Sequence, residues 1–293
     1  MRYRITKVIA VIAIGPVVLT AAAVAAMPVL RHGASGWWNN PEGLPALPEN
    51  PLVHYESGGS DYARTVAALL PGAIARVEAA QGRAFAQPVP IGVYTTRDAF
   101  VAANGLADAR SVAMTFLRRV MLSPVLFTTQ RQRLPALLTH ELSHAHLAGW
   151  MSQLGYWRLP QWFKEGLAVM VSGGGGAEGV SEDQAREAIR RGDHIAIASS
   201  ASARLLGVIP VDFGVIRFAQ SPEVPDTSFR VLMAYRQAGM FVTFLRDKNP
   251  VGFARMMNAI LDDRPLTEAV TARYGTDLQA HWLSFVQTQS TPP

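Results

Sequence analysis

Hydrophobic and polar positions divide the chain into three regions. Residues 8–30 form an apolar run without a single charged side chain. Residues 31–51 are rich in Gly, Pro and Asn and show no period of 2 or 3.6, which predicts an irregular linker. From residue 52 to residue 290 the spacing of apolar positions is typical of a folded domain.

Within the third region the pattern predicts strands first and helices afterwards. Strands are predicted at 52–57, 89–96, 111–117 and 118–127, with helices at 61–82 and 97–105 between them. From Leu134 onward the apolar spacing is mostly helical. This order predicts an α+β domain with a small N-terminal sheet and a mainly helical C-terminal half.

The apolar run at residues 8–30 has the length of a membrane span. As a helix it would rise about 35 Å, more than the roughly 30 Å of a hydrocarbon core. Arg2, Arg4 and Lys7 precede it, which predicts a cytoplasmic N-terminus and an exported remainder. Two readings stay open: an uncleaved membrane anchor, or a signal peptide cut near residues 23–25 and a secreted protein. Both place the domain outside the cytoplasm, in a periplasm or the extracellular space.

Trp37 and Trp38 form a bulky aromatic pair soon after this run. Amphipathic rings of this kind settle at membrane–water interfaces, which is one interpretation of the pair. The other interpretation is ordinary packing against the folded domain.

Charge and composition argue against several classes of protein. The formal net charge is +5, but Arg2, Arg4 and Lys7 supply three of these charges, which leaves +2 for residues 8–293. Without a basic stripe interleaved with aromatic residues, no nucleic-acid partner is expected. The chain has no cysteine, which excludes a disulfide scaffold, a thiol nucleophile and a cysteine-ligated zinc site.

The segment LLTHELSHAHLAGW at residues 137–150 concentrates ionisable groups in apolar surroundings. His140 and His144 are four residues apart, so on a helix they share one face about 6 Å apart along the axis and can bind one zinc ion. Glu141 borders that face, where a carboxylate can take a proton from a metal-activated water. This is the HExxH arrangement. His146 lies on the other side of the helix and is predicted to be structural.

A hydrolytic zinc site needs a third protein ligand and an open fourth position. The segment LPQWFKEGLAVMV at residues 159–171 carries one carboxylate, Glu165, in the middle of an apolar helix. A carboxylate is costly to bury unless it is paired or metal-bound, which makes Glu165 a candidate ligand. The alternative is a surface ion pair with Lys164 or Arg158.

HELSH followed by W-x-x-E-G-L-A, with twenty residues between His144 and Glu165, resembles the gluzincin metallopeptidases, nearest to their peptidase MA-like branch. The resemblance implies a zincin-like domain in which His140, His144 and Glu165 bind one Zn²⁺ ion and Glu141 is the general base. It implies a peptidase that hydrolyses peptide or protein substrates with a zinc-activated water. A zinc-containing binding domain on the same fold, weakly active or inactive, stays open as the alternative.

Two further segments bear on the resemblance. MAYRQAGMFVTFL at residues 233–245 is similar to a tyrosine-bearing helix of the family, which implies that Tyr235 stabilises the oxyanion; the alternative is a core aromatic residue. The family's cleft has an edge strand just before the zinc helix, and residues 118–126 stand there, where an extended peptide could pair.

Two departures from the family pattern and one further segment also bear on the site. SVAMTFL at residues 111–117 lacks the acid with which related aminopeptidases bind a free amine, which favours an endopeptidase. Val169 stands where many relatives carry an acid, so the hydrogen bonds that orient the zinc ligands must come from elsewhere. The glycine run at residues 172–179 is interpreted as a flexible rim of the cleft or an ordinary mobile connection.

Overall fold

The structure is a computed structural model that describes residues 27–197, 203–205, 209–212, 216–219 and 228–290. Most of the predicted membrane run, including the candidate cleavage site, therefore lies outside the described residues. Within the described part, no helix combines the length and the apolar character that crossing a membrane requires.

Five strands form the main sheet, in the order β1-β2-β3-β5-β4. The strands are β1 (Ala46–Leu47), β2 (Asn50–Tyr55), β3 (Ile91–Val93), β4 (Ala113–Phe116) and β5 (Arg119–Leu122). The inner strands β2, β3 and β5 are parallel, and the two outer strands pair antiparallel to their neighbours.

The edge strand next to the HExxH segment is β4 and not the segment at 118–126. That expectation was wrong because β5 is hydrogen-bonded to β3 on one side and to β4 on the other. The hairpin between β4 and β5 turns at Leu117 and Arg118, which both have positive φ angles, of 47° and 66°. Two consecutive residues with positive φ give the hairpin turn a twist that matches the right-handed twist of the two strands.

Twelve helices surround the sheet or extend beyond it among the described residues, and a small ladder is formed by β6 (Ala203–Leu205) and β7 (Ile209–Val211). The helices are α1 (Pro28–Trp38), α2 (Ser60–Gln81), α3 (Arg97–Ala103), α4 (Val125–Thr128), α5 (Leu134–Trp150), α6 (Gln153–Arg158), α7 (Gln161–Ser172), α8 (Glu182–Arg190), α9 (Ser228–Lys248), α10 (Pro250–Leu261), α11 (Leu266–Tyr274) and α12 (Leu278–Ser290). The predicted α+β class, with the sheet in the N-terminal half, is confirmed.

The expectation of an irregular linker over residues 31–51 was wrong. This stretch contains most of α1 and the first strands of the sheet. Pro28 stands in the first turn of α1, where its missing N–H costs nothing. The hydroxyl of Ser35 donates to the carbonyl of Ala102, which ties α1 to α3. The small residues that indicated flexibility instead allow close packing.

Helix α5 is apolar on nearly every face, as expected of a helix enclosed by other elements. It is buried continuously from Leu137 to Leu147, because it packs between the sheet, α2 and α7. The HExxH residues therefore lie inside the molecule and not on its surface.

Helix α7 is held against α9 by two glycines. A Cβ at Gly166 would lie 2.6 Å from the carbonyl oxygen of Ala238, and a Cβ at Gly239 would lie 2.5 Å from a methyl of Val169. Any larger residue at either position would separate the helices. The crossing thus fixes α7, which carries Glu165, in one position relative to α9.

Candidate metal centre

Two histidines converge one turn apart on α5. The Nε2 atoms of His140 and His144 are 3.1 Å apart, and their side chains are almost completely buried. Two ring nitrogens at this distance in an apolar interior require a shared proton or a shared cation between them.

Glu165 completes the group from α7. Its Oε2 atom lies 3.2 Å from Nε2 of His140 and 3.6 Å from Nε2 of His144. A tetrahedral zinc ion with ligands at 2.0–2.1 Å has ligand–ligand distances of about 3.3–3.4 Å, so the three separations fit such a site. Among the residues that the structure describes, these three form a group that could hold a metal ion.

The surface ion pair considered for Glu165 is not what the structure shows. Glu165 is 6% exposed and faces the two histidines. Lys164, which is itself buried, donates from Nζ to the carbonyl of Asp212. Burial lowers the pKa of Lys164 to about 8, against the opposing effect of Asp212 and Glu165.

Electrostatics bind the three groups together even without an ion. Burial alone would lower the pKa of His140, but the hydrogen bond and charge of Glu165 outweigh it and raise that pKa to about 9. Burial would raise the pKa of Glu165, but the charges and hydrogen bonds of His144 and His140 hold it well below its usual range. A cation bound by the three groups would compete with the proton that Glu165 favours on His140.

The second carboxylate oxygen of Glu165 is held from the same helix. Nε2 of Gln161, one turn earlier on α7, donates to Oε1 at 2.6 Å. The backbone N–H of Gln161 in turn donates to the carboxylate of Asp212. The hydrogen bond from Gln161 to Oε1 leaves Oε2 of Glu165 directed at the histidines.

The glycine run after α7 orients His140. Nδ1 of His140 lies 2.8 Å from the carbonyl oxygen of Gly175. A carbonyl only accepts, so Nδ1 carries the proton and Nε2 is the atom left to bind a cation. The missing acid at Val169 is thus replaced by a backbone carbonyl.

The same loop needs glycine at the point where it meets the ring. Gly176 has a φ of 85°, and a Cβ there would lie 2.8 Å from Cε1 of His140. The sequence indicated a flexible rim of the cleft or an ordinary mobile connection for this run. In the structure the run packs against the ring of His140, a candidate ligand. The two histidines differ in what holds their Nδ1 atoms. Nδ1 of His144 is buried and has no hydrogen-bond partner among the described residues.

Glu141 lies beside the metal-binding group without belonging to it. Its Oε2 atom accepts a hydrogen bond of 2.7 Å from the hydroxyl of Thr115 on β4, and the same hydroxyl lies 2.9 Å from the Glu141 carbonyl. Glu141 is 7% exposed. The edge strand therefore runs past the one carboxylate of the HExxH motif and positions it.

Comparison with protein-family models, curated proteins and solved structures gave no match. The gluzincin resemblance stays a prediction, which rests on the two-part motif.

The two tyrosines near these helices differ in what surrounds them. Tyr235 is half-buried on α9 and packs against the hydrophobic core, and its predicted oxyanion role stays a prediction. Tyr156 on α6 was not singled out from the sequence. Burial and the charges of Glu165 and Glu141 raise the pKa of its phenol, so this hydroxyl lies within electrostatic reach of both carboxylates.

His146 faces away from the centre, as predicted from its position on the helix. Its ring nitrogens lie 2.8 Å from Oε1 of Gln81 and 3.0 Å from the carbonyl of Arg83. Gln81 also donates to the hydroxyl of Ser143. These contacts join α5 to the end of α2, which is a structural role.

Three residues of the site were not predicted from the sequence, and two of them have sequence signals that become visible once the fold is known. Gln161 precedes Glu165 by four positions on an apolar helix, a spacing at which side chains meet. Thr115 is a hydroxyl in an apolar strand shortly before the HExxH helix. Gly175 has no such local signal, since its carbonyl reaches a residue 35 positions away.

Proposed function

We propose that this chain is a zinc-dependent endopeptidase with its site at the junction of α5, α7 and β4. The observation that carries the proposal is the convergence of Nε2 of His140, Nε2 of His144 and Oε2 of Glu165 at separations of 3.1, 3.2 and 3.6 Å. All three donors are nitrogen or carboxylate oxygen, the types that catalytic zinc sites use with a fourth position kept open.

When bound in such a site, zinc lowers the pKa of a water to about 7 and polarises a carbonyl group. The residues of the chain would transfer the proton and orient the groups of the site. Glu141 takes the proton of the attacking water and delivers it to the leaving amine nitrogen. Thr115 holds the carboxylate of Glu141 in place, and Gly175 and Gln161 orient the ligands.

The edge position of β4 favours a polypeptide substrate. In the main sheet β4 is paired on one side only, and an extended peptide can add to such an edge through backbone hydrogen bonds. Thr115 on this strand contacts Glu141, so a peptide paired with β4 would pass beside the proposed base. No acid on β4 marks a free-amine site, which supports cleavage within a chain.

The domain is proposed to act outside the cytoplasm, on the trans side of a membrane anchor formed by residues 8–30. The support is the uncharged run itself and the three cations that precede it. A secreted form released by a signal peptidase is the second possibility for the same segment.

The test combines metal analysis with cleavage of a peptide library by the full chain. We expect one zinc per chain, and cleavage that a chelator abolishes and added zinc restores. His144→Ala and Glu165→Ala should each lose most of the zinc, while His146→Ala on the same helix should keep it. Stoichiometric zinc in both ligand variants would refute the ligand assignment.

Glu141→Gln separates a peptidase from a zinc-containing binding domain. Glutamine has nearly the same shape but cannot accept the proton, so the variant should bind zinc and lose about 10²–10⁴-fold in turnover. A wild-type chain that binds zinc and cleaves nothing would favour the binding domain. Unchanged turnover in Glu141→Gln would contradict the role of the base.

A further inference from the structure

Three segments of the chain meet at one buried contact point. A Cβ at Gly36 of α1 would lie 2.5 Å from Cα of Gly105, just after α3. A Cβ at Gly105 would lie 2.5 Å from the ring of Phe116, at the end of β4. The three segments are therefore in direct contact through two glycines and one aromatic ring.

The residue that follows each contact is a large, exposed hydrophobic one. Trp37, Leu106 and Leu117 have exposed fractions of 59%, 57% and 36%, and the next residue of α1, Trp38, is 80% exposed. Consecutive Cα atoms are about 3.8 Å apart, so the Cα atoms of Trp37, Leu106 and Leu117 each lie about 3.8 Å from the Cα atom of a residue in the contact. We name these four residues the junction patch.

The junction patch is close to the start of the described chain. Helix α1 begins at Pro28, within the uncharged run of residues 8–30. Trp37 follows Pro28 by nine residues, about 14 Å along a helix. Because Ser35 and Gly36 bind α1 to the domain, no long flexible tether separates the patch from that run.

We infer that the junction patch rests in the headgroup region of a lipid bilayer and holds the domain against the membrane. This inference depends on the membrane anchor proposed above, and not on the peptidase activity. Tryptophan is enriched at this depth because its ring is apolar and its N–H stays hydrated, and leucine adds apolar area beside it. The anchor leads directly into α1, which makes the bilayer the occupant that the chain itself brings to this surface.

This placement would restrict the substrate. Leu117 lies two residues from Thr115, at most about 7 Å along a strand. Thr115 contacts Glu141, so the proposed base lies close to the surface that would face the lipid. The class of substrate that fits is a polypeptide segment that is itself embedded in, or close to, the outer surface of the same membrane.

The absence of native cysteine allows a direct test on the full chain in lipid nanodiscs. Leu106→Cys and Leu117→Cys would each carry one environment-sensitive fluorophore. Val251→Cys and Leu283→Cys, with exposed fractions of 62% and 54% on α10 and α12, serve as controls of similar exposure. Circular dichroism of each labelled chain reports whether it is folded.

Labels at 106 and 117 should shift their emission to the blue in nanodiscs and be quenched by nitroxide-labelled lipid, while labels at 251 and 283 should not. Replacing both Trp37 and Trp38 with serine should reduce the shift at 106 and 117. Equal responses at all four positions would overturn the inference while leaving the anchor in place. A chain that does not enter nanodiscs would overturn the anchor and the inference together, with the peptidase proposal unaffected.

Discussion

The hydroxyl of Thr115 lies 2.7 Å from Oε2 of Glu141 and links the edge strand to the HExxH helix. The hydrogen bond fixes the direction of the Glu141 carboxylate. A carboxylate with a fixed direction can take a proton from a defined position, so the strand proposed to bind substrate also positions the proposed base.

Thr115→Val should therefore lower kcat with little change in zinc content. Valine has the same shape but cannot donate, and a hydrogen bond to a charged group contributes about 1.5–3 kcal/mol, which corresponds to about a 10- to 100-fold loss. Thr115→Ser should restore most of the activity, because serine keeps the hydroxyl. A serine variant as slow as the valine variant would argue against a positioning role.

Gly176→Ala should weaken zinc binding about 10- to 100-fold, the usual effect of losing a group that orients a metal ligand. The added methyl would press against the His140 ring and displace the loop whose carbonyl holds Nδ1. Gly58→Ala is the matched control, since Gly58 has a φ of 81° and open space around it. Competition with a chromophoric chelator measures both affinities, and equal losses would show that backbone strain alone is responsible.

Tyr235→Phe should reduce kcat by about 10²-fold at unchanged zinc content, because the family resemblance implies that its hydroxyl stabilises the oxyanion. Tyr156→Phe is the paired variant. Nζ of Lys164 lies 5.0 Å from the centre of the Tyr156 ring, a contact that phenylalanine keeps, so this variant should leave kcat nearly unchanged. Loss of activity in Tyr156→Phe alone would contradict the prediction for Tyr235.

His146→Ala should destabilise the protein without emptying the metal centre. It would leave the buried side chain of Gln81 and the carbonyl of Arg83 without this partner, at a cost of about 1–3 kcal/mol. Chemical denaturation of the zinc-loaded protein measures this loss. Zinc that falls in parallel with stability at low denaturant would mean that His146 takes part in the centre.

The three residues of the candidate metal centre were predictable because their signals are local. A separation of four positions places His140 and His144 on one helix face, independently of the rest of the fold. A lone carboxylate such as Glu165 on an apolar helix needs a partner, and the buried histidines are that partner in the structure. The α+β class followed equally from the order of strand-like and helix-like periods.

The errors arose where distant segments decide the outcome. Gly36 and Ser35 resembled linker residues, but their small size allows α1 to pack on α3. Which strand of a hairpin lies at the edge depends on pairing with β3, which the hairpin itself does not encode. The carbonyl of Gly175 could not be assigned to His140, because backbone contacts leave no trace in residue type.

The close crossing of Gly166 and Gly239 has a consequence for how an ion would enter and leave. Glu165 cannot swing away with its helix unless α7 separates from α9 along the whole contact, so this side of the centre is fixed. The loop that carries Gly175 is packed as closely, since a Cβ at Gly175 would lie 2.7 Å from the carbonyl oxygen of Ala136. Uptake and release of a metal ion should thus be slow, and alanine at Gly166 or at Gly175 should speed both.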